Sequence, residues 1–244
     1  MVTRSRFYRD VSVVSAGQSY RVLLDGKAIH TPAGAELAIP TRALADAIAE
    51  EWRSQGEKVR PETMVLTKLA NTAIDRVAVH RRTAIAQILS FAQSDLLCYR
   101  AETPESLVAL QHRVWDPILG WAKARYGATL ACGRGIGFVE QAEESLSALE
   151  RALDEYDSFQ LSAVHAAATL LGSAVITLAM AEQRLSAEEA FAAAQLDENY
   201  QAEKWGRDLE AEKLRASKQA ELFEIARFLQ ALRNVDSRLP SQES

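Results

Sequence analysis

Leu161-Ser-Ala-Val-His165-Ala-Ala-Ala-Thr169-Leu-Leu-Gly-Ser173-Ala-Val-Ile-Thr177-Leu-Ala-Met-Ala181 is a run of 21 residues without a single Asp, Glu, Lys or Arg. A helix of that length spans a bilayer, so its reading decides between a membrane protein and a soluble bundle. Two features favour the bundle. Seven of the residues are Ala, which contribute little to insertion. Ser162, His165, Thr169, Ser173 and Thr177 follow one another at three or four residues and form a polar stripe, while Leu161, Val164, Leu171, Val175 and Leu178 mark a different face. The run reads as part of a helix over 159–184 at the centre of a soluble bundle, with no stable membrane insertion.

The surroundings agree. Five of the six prolines lie at or before Pro117, and after Gly137 only Gly172 and Gly206 remain. A second half so poor in helix breakers and rich in Ala, Leu, Glu and Lys is expected to be nearly all helix. Helices are predicted over 141–156, 186–206 and 208–233, the second opened by a capping box at Ser186 and Glu189. Upstream, Ile85, Ile88, Leu89 and Ala92 share a helical stripe. Another helix starts at Thr103-Pro104-Glu105, with Thr as cap and Pro in the first position, runs through Pro117 and stops at Tyr126-Gly127.

The first 40 residues follow a different period. Val11–Val14, Tyr20–Leu24, Lys27–His30 and Glu36–Ile39 are short β-type runs, and Asp25-Gly26 is a strong two-residue hairpin signal. They predict an antiparallel meander over 7–39. Thr41 then caps a helix over 42–55 whose apolar positions Leu44, Ala47 and Ile48 cover the sheet; Trp52 ends that stripe and Gly56 closes it. The predicted class is α+β: a small antiparallel β-rich N-terminal domain (1–60) with its covering helix, then a larger all-α domain (61–244). Residues 61–80 form the join, without the Gly/Ser composition of a flexible linker, and 235–244 form a mobile tail.

Composition narrows the function classes. The 244 residues carry a net charge of −5, which argues against a nucleic-acid partner held by phosphate attraction. Two cysteines, Cys98 and Cys132, without a CxxC, exclude a disulfide framework and a four-thiolate zinc site. With no secretory signal in Met1–Val14, a cytoplasmic location is expected.

Local catalytic motifs are missing. Gly133-Arg-Gly-Ile-Gly137 lacks both the GK[ST] of a P-loop and a strand-to-helix setting, and reads as a surface loop between helices. His112 and Asp116 stand one helical turn apart, but two ligands are not a metal site. His165 reads as a core histidine. No GxSxG or SxxK occurs, and no cofactor or metal is expected. More distinctive is Leu196-Asp-Glu-Asn-Tyr-Gln-Ala-Glu-Lys-Trp-Gly206, where Tyr200 and Trp205 accompany Asp197 and Glu198. Aromatic side chains beside carboxylates suit a protein-binding hot spot. The same aromatics would equally suit packing of a last helical turn onto the core, and both readings stay open.

Several segments occur in a telling order: Glu51-Trp52-Arg-Ser-Gln55, Leu66-Thr-Lys-Leu-Ala-Asn-Thr-Ala-Ile-Asp75, Asp95-Leu-Leu-Cys-Tyr-Arg100, Pro104-Glu105-Ser-Leu107, Trp115-Asp-Pro-Ile118, Tyr126-Gly127 and the Leu196–Gly206 run. As an ordered set, spanning about Phe7 to Phe228, they resemble the assembly chaperones for the α subunit of the F-type ATP synthase head, found in mitochondria and α-proteobacteria. The chain is similar to the bacterial members, lacking a targeting extension. The resemblance implies a non-enzymatic protein that binds unassembled α subunit transiently and one-to-one, shields the surface that later meets β, and works as a monomer. It also implies importance for Trp52 and for the acidic positions at Asp197 and Glu198. Trp52 is a candidate partner-binding residue with Asp197, Glu198, Tyr200 and Trp205; its place at the end of an apolar stripe also suits fixing the sheet–helix join, and both readings stay open. The competing class is a small-molecule enzyme with a cleft between the domains, using dispersed groups such as His112, Asp116 and Arg100.

Overall fold

The structure, a computed structural model, describes residues 4–135, 137–206 and 209–233. The chain packs into two compact units. Of the described residues, the first comprises those within 4–81, 158–163 and 227–233, and the second those within 82–157 and 164–226. Residues 61–80, read as a join, lie within the first unit. The expected tail over 235–244 falls outside the described residues.

In the first unit, β1 (Arg4–Ser5) precedes a meander of β2 (Val11–Ala16), β3 (Ser19–Leu24) and β4 (Lys27–Ala28), antiparallel in the order β2-β3-β4. Asp25 and Gly26 both take positive φ, 48° and 78°, as a type I′ turn requires. The Asp25 carboxylate accepts from the N–H groups of Asp10 and Arg9, and those bonds hold its pKa below the usual range. The predicted fourth strand at 36–39 is reduced to two isolated bridges, Tyr20 with Ile39 and His30 with Glu36. The helix α1 (Arg42–Arg53) is capped as expected by Thr41, whose Oγ1 accepts from Leu44 N at 3.2 Å. Its C-cap is Ser54 rather than Gly56. Leu44 and Ile48 are fully buried, as are Val22, Leu37 and Ile39, so the apolar stripe meets the sheet as predicted.

Beyond α1, β5 (Lys58–Val59) returns to pair with β1, and α2 (Val65–Thr72) follows. The N-cap residue of α2, Met64, supplies no side-chain acceptor. Glu51 of α1 supplies it instead, accepting from Leu66 N at 2.7 Å, Thr67 N at 2.8 Å and Thr67 Oγ1 at 2.7 Å. A π-helical turn over Ala73–Val77 then lets Asp75 accept from Thr31 Oγ1 and Ala33 N. The unit closes with Ser162 Oγ donating to Leu69 O, Phe159 stacked on Phe228, and Thr41 Oγ1 donating to Ala231 O.

The elements that follow are α3 (Arg81–Gln93), β6 (Tyr99–Arg100), α4 (Glu105–Tyr126), β7 (Gly133–Arg134), α5 (Glu143–Asp154), α6 (Ser158–Leu171), α7 (Ala174–Ala181), α8 (Ala187–Ala194), α9 (Leu196–Trp205) and α10 (Leu209–Arg233). They form the second unit, apart from Arg81, the start of α6 up to 163 and the end of α10 from 227, which belong to the first. The expected start of α4 is corrected: Pro104 is the N-cap and no side chain caps the helix. Its end is as read, with Gly127 at φ 77°.

The uncharged run is two helices rather than one. Gly172, at φ 68°, ends α6 in a left-handed conformation, and Ser173 starts α7 by accepting from Ile176 N at 3.0 Å. The polar stripe survives the break because each hydroxyl has a partner. Ser173 Oγ donates to the Asp95 carboxylate at 2.7 Å, and Thr177 and Thr169 donate to the carbonyls of Ser173 and His165. Among the described residues no helix is long and apolar enough to cross a membrane. Likewise the expected helix over 186–206 bends at Gln195 (φ −101°, ψ 20°) into α8 and α9; the capping box of Ser186 and Glu189 is present.

The segment read as a surface loop lies between α4 and α5 and begins with a short strand. Gly133 and Arg134 form β7, parallel to β6, with Tyr99 opposite Gly133 and Arg100 opposite Arg134. A Cβ at Gly133 would lie 2.5 Å from Val139 Cγ2, so a larger residue there would have to displace the Val139 side chain.

Candidate partner-binding site

α9 owes its position to its neighbours. Trp115 of α4 is fully buried and donates from Nε1 to Ala193 O at 2.9 Å, tying the end of α8 to α4. Leu196 is buried and anchors the first turn of α9. Gln111 of α4 uses both ends of its amide: Oε1 accepts from Ala101 N at 2.9 Å, and Nε2 donates to Asp197 Oδ1 at 2.8 Å. Tyr200 Oη and Ser106 Oγ share a hydrogen bond of 2.5 Å, and Lys204 Nζ lies 5.7 Å from the Tyr200 ring centre. Asp197 and Tyr200 therefore face α4 and hold α9 in place.

The other face of α9 is open. Glu198 is exposed, and Trp205 is 80% exposed at the C-terminal end, where Gly206 (φ 92°) stops the helix. Leu209 and Leu214 of α10 are 74% and 60% exposed. Glu198, Ala202, Trp205, Leu214, Arg215 and Lys218 line a groove of about 460 Å³ between α9 and α10. On the opposite side, Leu110, Arg113, Pro117, Leu196, Tyr200 and Glu203 line one of about 540 Å³. The four residues singled out in this segment are thus brought together on one helix and divided by role. Asp197 and Tyr200 are tied to α4, and Glu198 and Trp205 are exposed.

Trp52 belongs to the first unit. Its carbonyl accepts from Tyr8 Oη at 2.6 Å, and the two rings meet edge to face at 5.6 Å. Its indole N–H is buried without an acceptor. Trp52, Tyr8, Pro61 and the exposed Phe7 line a groove of about 630 Å³.

The dispersed groups Arg100, Asp116 and His112 also meet. Asp116 accepts from Arg100 Nη2 at 2.7 Å and contacts His112 Nδ1 at 2.8 Å. Partial burial acts upward on the Asp116 carboxyl, but these two partners hold its pKa below the usual range. Arg100 is almost wholly buried and lies 5.3 Å from the Trp115 ring centre. Among the described residues no group of three or more His, Cys, Asp or Glu side chains is disposed to hold a metal. His165 is half-buried, and burial lowers its pKa.

Sequence reading missed the two internal caps, Glu51 on α2 and Asp95 on α7. Asp95 is fully buried. It accepts from Leu97 N at 3.1 Å, Ser173 Oγ at 2.7 Å and Val175 N at 3.1 Å, and burial pushes its carboxyl up to about 6 against those bonds. Both carboxylates lie within the ordered segments quoted above. A cap donated across such a distance leaves no spacing signal.

Comparison with known proteins completes the picture. Residues 5–123 match the family model for the ATP12 chaperone protein. A curated relative, mitochondrial protein atp12 of Schizosaccharomyces pombe, is 25% identical over 82% of this chain and 73% of its own. The crystal structure of Atp12 from Paracoccus denitrificans superposes with a TM-score of 0.88 at 39% identity, covering 94% of this chain and 98% of that one. A chaperone-class crystal structure from Agrobacterium tumefaciens superposes with a TM-score of 0.91 at 41% identity, covering 94% and 87%. With this identity across nearly the whole length, the chain belongs to the ATP12 chaperone family.

Proposed function

We propose that this protein promotes assembly of the F-type ATP synthase catalytic head by binding its free α subunit and shielding the surface that later meets β. The family membership supports the chaperone class. The observation that carries the surface is the outward face of α9, where exposed Trp205 stands with Glu198 beside Leu209 and Leu214 of α10. An unassembled subunit exposes an apolar interface that aggregates. Covering it takes roughly 800 Å² from each partner. A large aromatic with a carboxylate nearby gives an anchor and an orientation within that area. The complex is one-to-one, the chaperone is a monomer of the bacterial cytoplasm, and it acts by binding, without a catalytic step.

Size-exclusion chromatography of the protein mixed with free α subunit, with and without β, tests this. A one-to-one complex that β dissolves is expected. Failure to retain α while β or an unrelated protein is retained overturns the reading.

A further inference from the structure

Both cysteines lie at one end of the β6–β7 ladder. Tyr99 pairs with Gly133 and Arg100 with Arg134; Cys98, which ends a 3₁₀ turn over Leu96–Cys98, and Cys132 are the residues immediately before the first of those pairs on the two parallel strands. Neighbouring strands run about 4.8 Å apart, inside the Cα separation that a disulfide spans. Cys132 Sγ reaches the carbonyl of Leu97, the residue next to Cys98, at 3.9 Å. They differ in access, since Cys132 is exposed and Cys98 is buried.

A third group completes the site. Arg100 emerges from the same ladder with its side chain 4% exposed. Its Nη2 stands 4.0 Å from Cys132 Sγ, and its Nη1 is buried without an acceptor. A guanidinium so placed has a donor to spare for an oxygen carried on the Cys132 sulfur.

We propose that Cys132 and Cys98 form a hydroperoxide-oxidised dithiol that closes to an intramolecular disulfide. Cys132, deprotonated, attacks one oxygen of the hydroperoxide. The S–O bond forms, the O–O bond breaks, and the departing oxygen leaves as water or an alcohol after taking up a proton. The sulfenic acid oxygen on Cys132 accepts from Arg100. Cys98 then loses its proton and attacks Cys132 Sγ, and the S–O bond breaks with release of water. Overall, two thiols and one hydroperoxide give one disulfide, one alcohol or water, and one further water. The order of attack follows from access. Burial also pushes the Cys98 thiol pKa well up, so closure accelerates as pH rises.

The experiment is hydrogen peroxide treatment of the full-length protein, read by thiol titration, intact mass and peptide mapping. Expected are loss of both thiols, a mass lower by two hydrogens, a linked Cys98–Cys132 peptide, and closure faster at pH 9 than at pH 7. The Cys98→Ala variant should halt at a sulfenic acid on Cys132 that a dimedone probe traps. Cys132→Ser should leave Cys98 reduced. The proposal is overturned if wild type instead accumulates sulfinic acid on Cys132 as fast as Cys98→Ala does, if only disulfide-linked dimers form, or if both thiols survive while Cys132 still reacts with a maleimide.

Discussion

Glu51 and Asp95 are buried carboxylates whose acceptors are spent on the first turn of a helix that lacks a sufficient cap of its own. For Glu51 the partners are the N–H groups of Leu66 and Thr67 and the Thr67 hydroxyl. Glu51→Gln keeps the shape but points an amide N–H₂ at donors, so stability should fall by about 1–3 kcal/mol, read as a lower urea midpoint at unchanged slope. Asp95 predicts a pH dependence. Its folded pKa of about 6 exceeds the unfolded value near 3.8, so between them the folded protein holds more protons than the unfolded chain. The stability tied to its neutral form is therefore complete below about pH 4 and is lost as pH rises through about 6, a change of roughly 3 kcal/mol. Urea unfolding across that window should show this slope in wild type, and Asp95→Asn should remove it. On α9, Glu198→Lys should weaken α-subunit capture while shifting stability by less than about 0.5 kcal/mol, since the side chain is exposed. Asp197→Lys should also cost stability, because it strands the buried Gln111 amide. Equal melting temperatures for the two variants would contradict that division.

At the level of elements, several local signals were legible, although the Thr103 cap and the Gly56 stop were not kept. Asp25-Gly26, the Thr41 cap, the Ser186–Glu189 box and the Gly127 stop each act within a few residues, and each stands where it was read. The β1–β5 and β6–β7 pairs were not legible. Each strand has two residues, too few for a period, and its partner is a distant segment. The break at Gly172-Ser173 was hidden for another reason. The hydroxyl stripe keeps helical spacing across it, so periodicity reads straight through. Backbone geometry is what α6 needs at Gly172: a Cβ there meets nothing within 4 Å, yet φ is 68°. Gly172→Ala should cost about 1 kcal/mol through backbone strain alone, and thermal unfolding should show it without loss of helical circular dichroism.

For the whole molecule, the class followed from where helix breakers stop, and the structure keeps it: a small antiparallel sheet with a covering helix, followed by helices. The candidate site was half legible. Composition marked the segment over 196–206, but which of its side chains look outward depends on α4, through Gln111 and Ser106, far away in sequence. Uncharged though it is, the 161–181 run should not compromise solubility. The full chain should stay in solution without detergent at high concentration, and sedimentation should return a monomer. A requirement for detergent would contradict the hydroxyl bonding described for α6 and α7.

The Asp95–Ser173 contact also bears on synthesis. The two residues are 78 apart in the chain. At about 5–20 residues per second, the ribosome delivers Ser173 some 4–16 seconds after Asp95. Throughout that interval the nascent chain carries Asp95 hydrated and ionised, with none of its α7 donors yet made. Desolvation of this carboxylate is therefore a late event in biogenesis. A nascent chain arrested before Ser173 emerges should be far more open to protease around Asp95 than one arrested beyond α7.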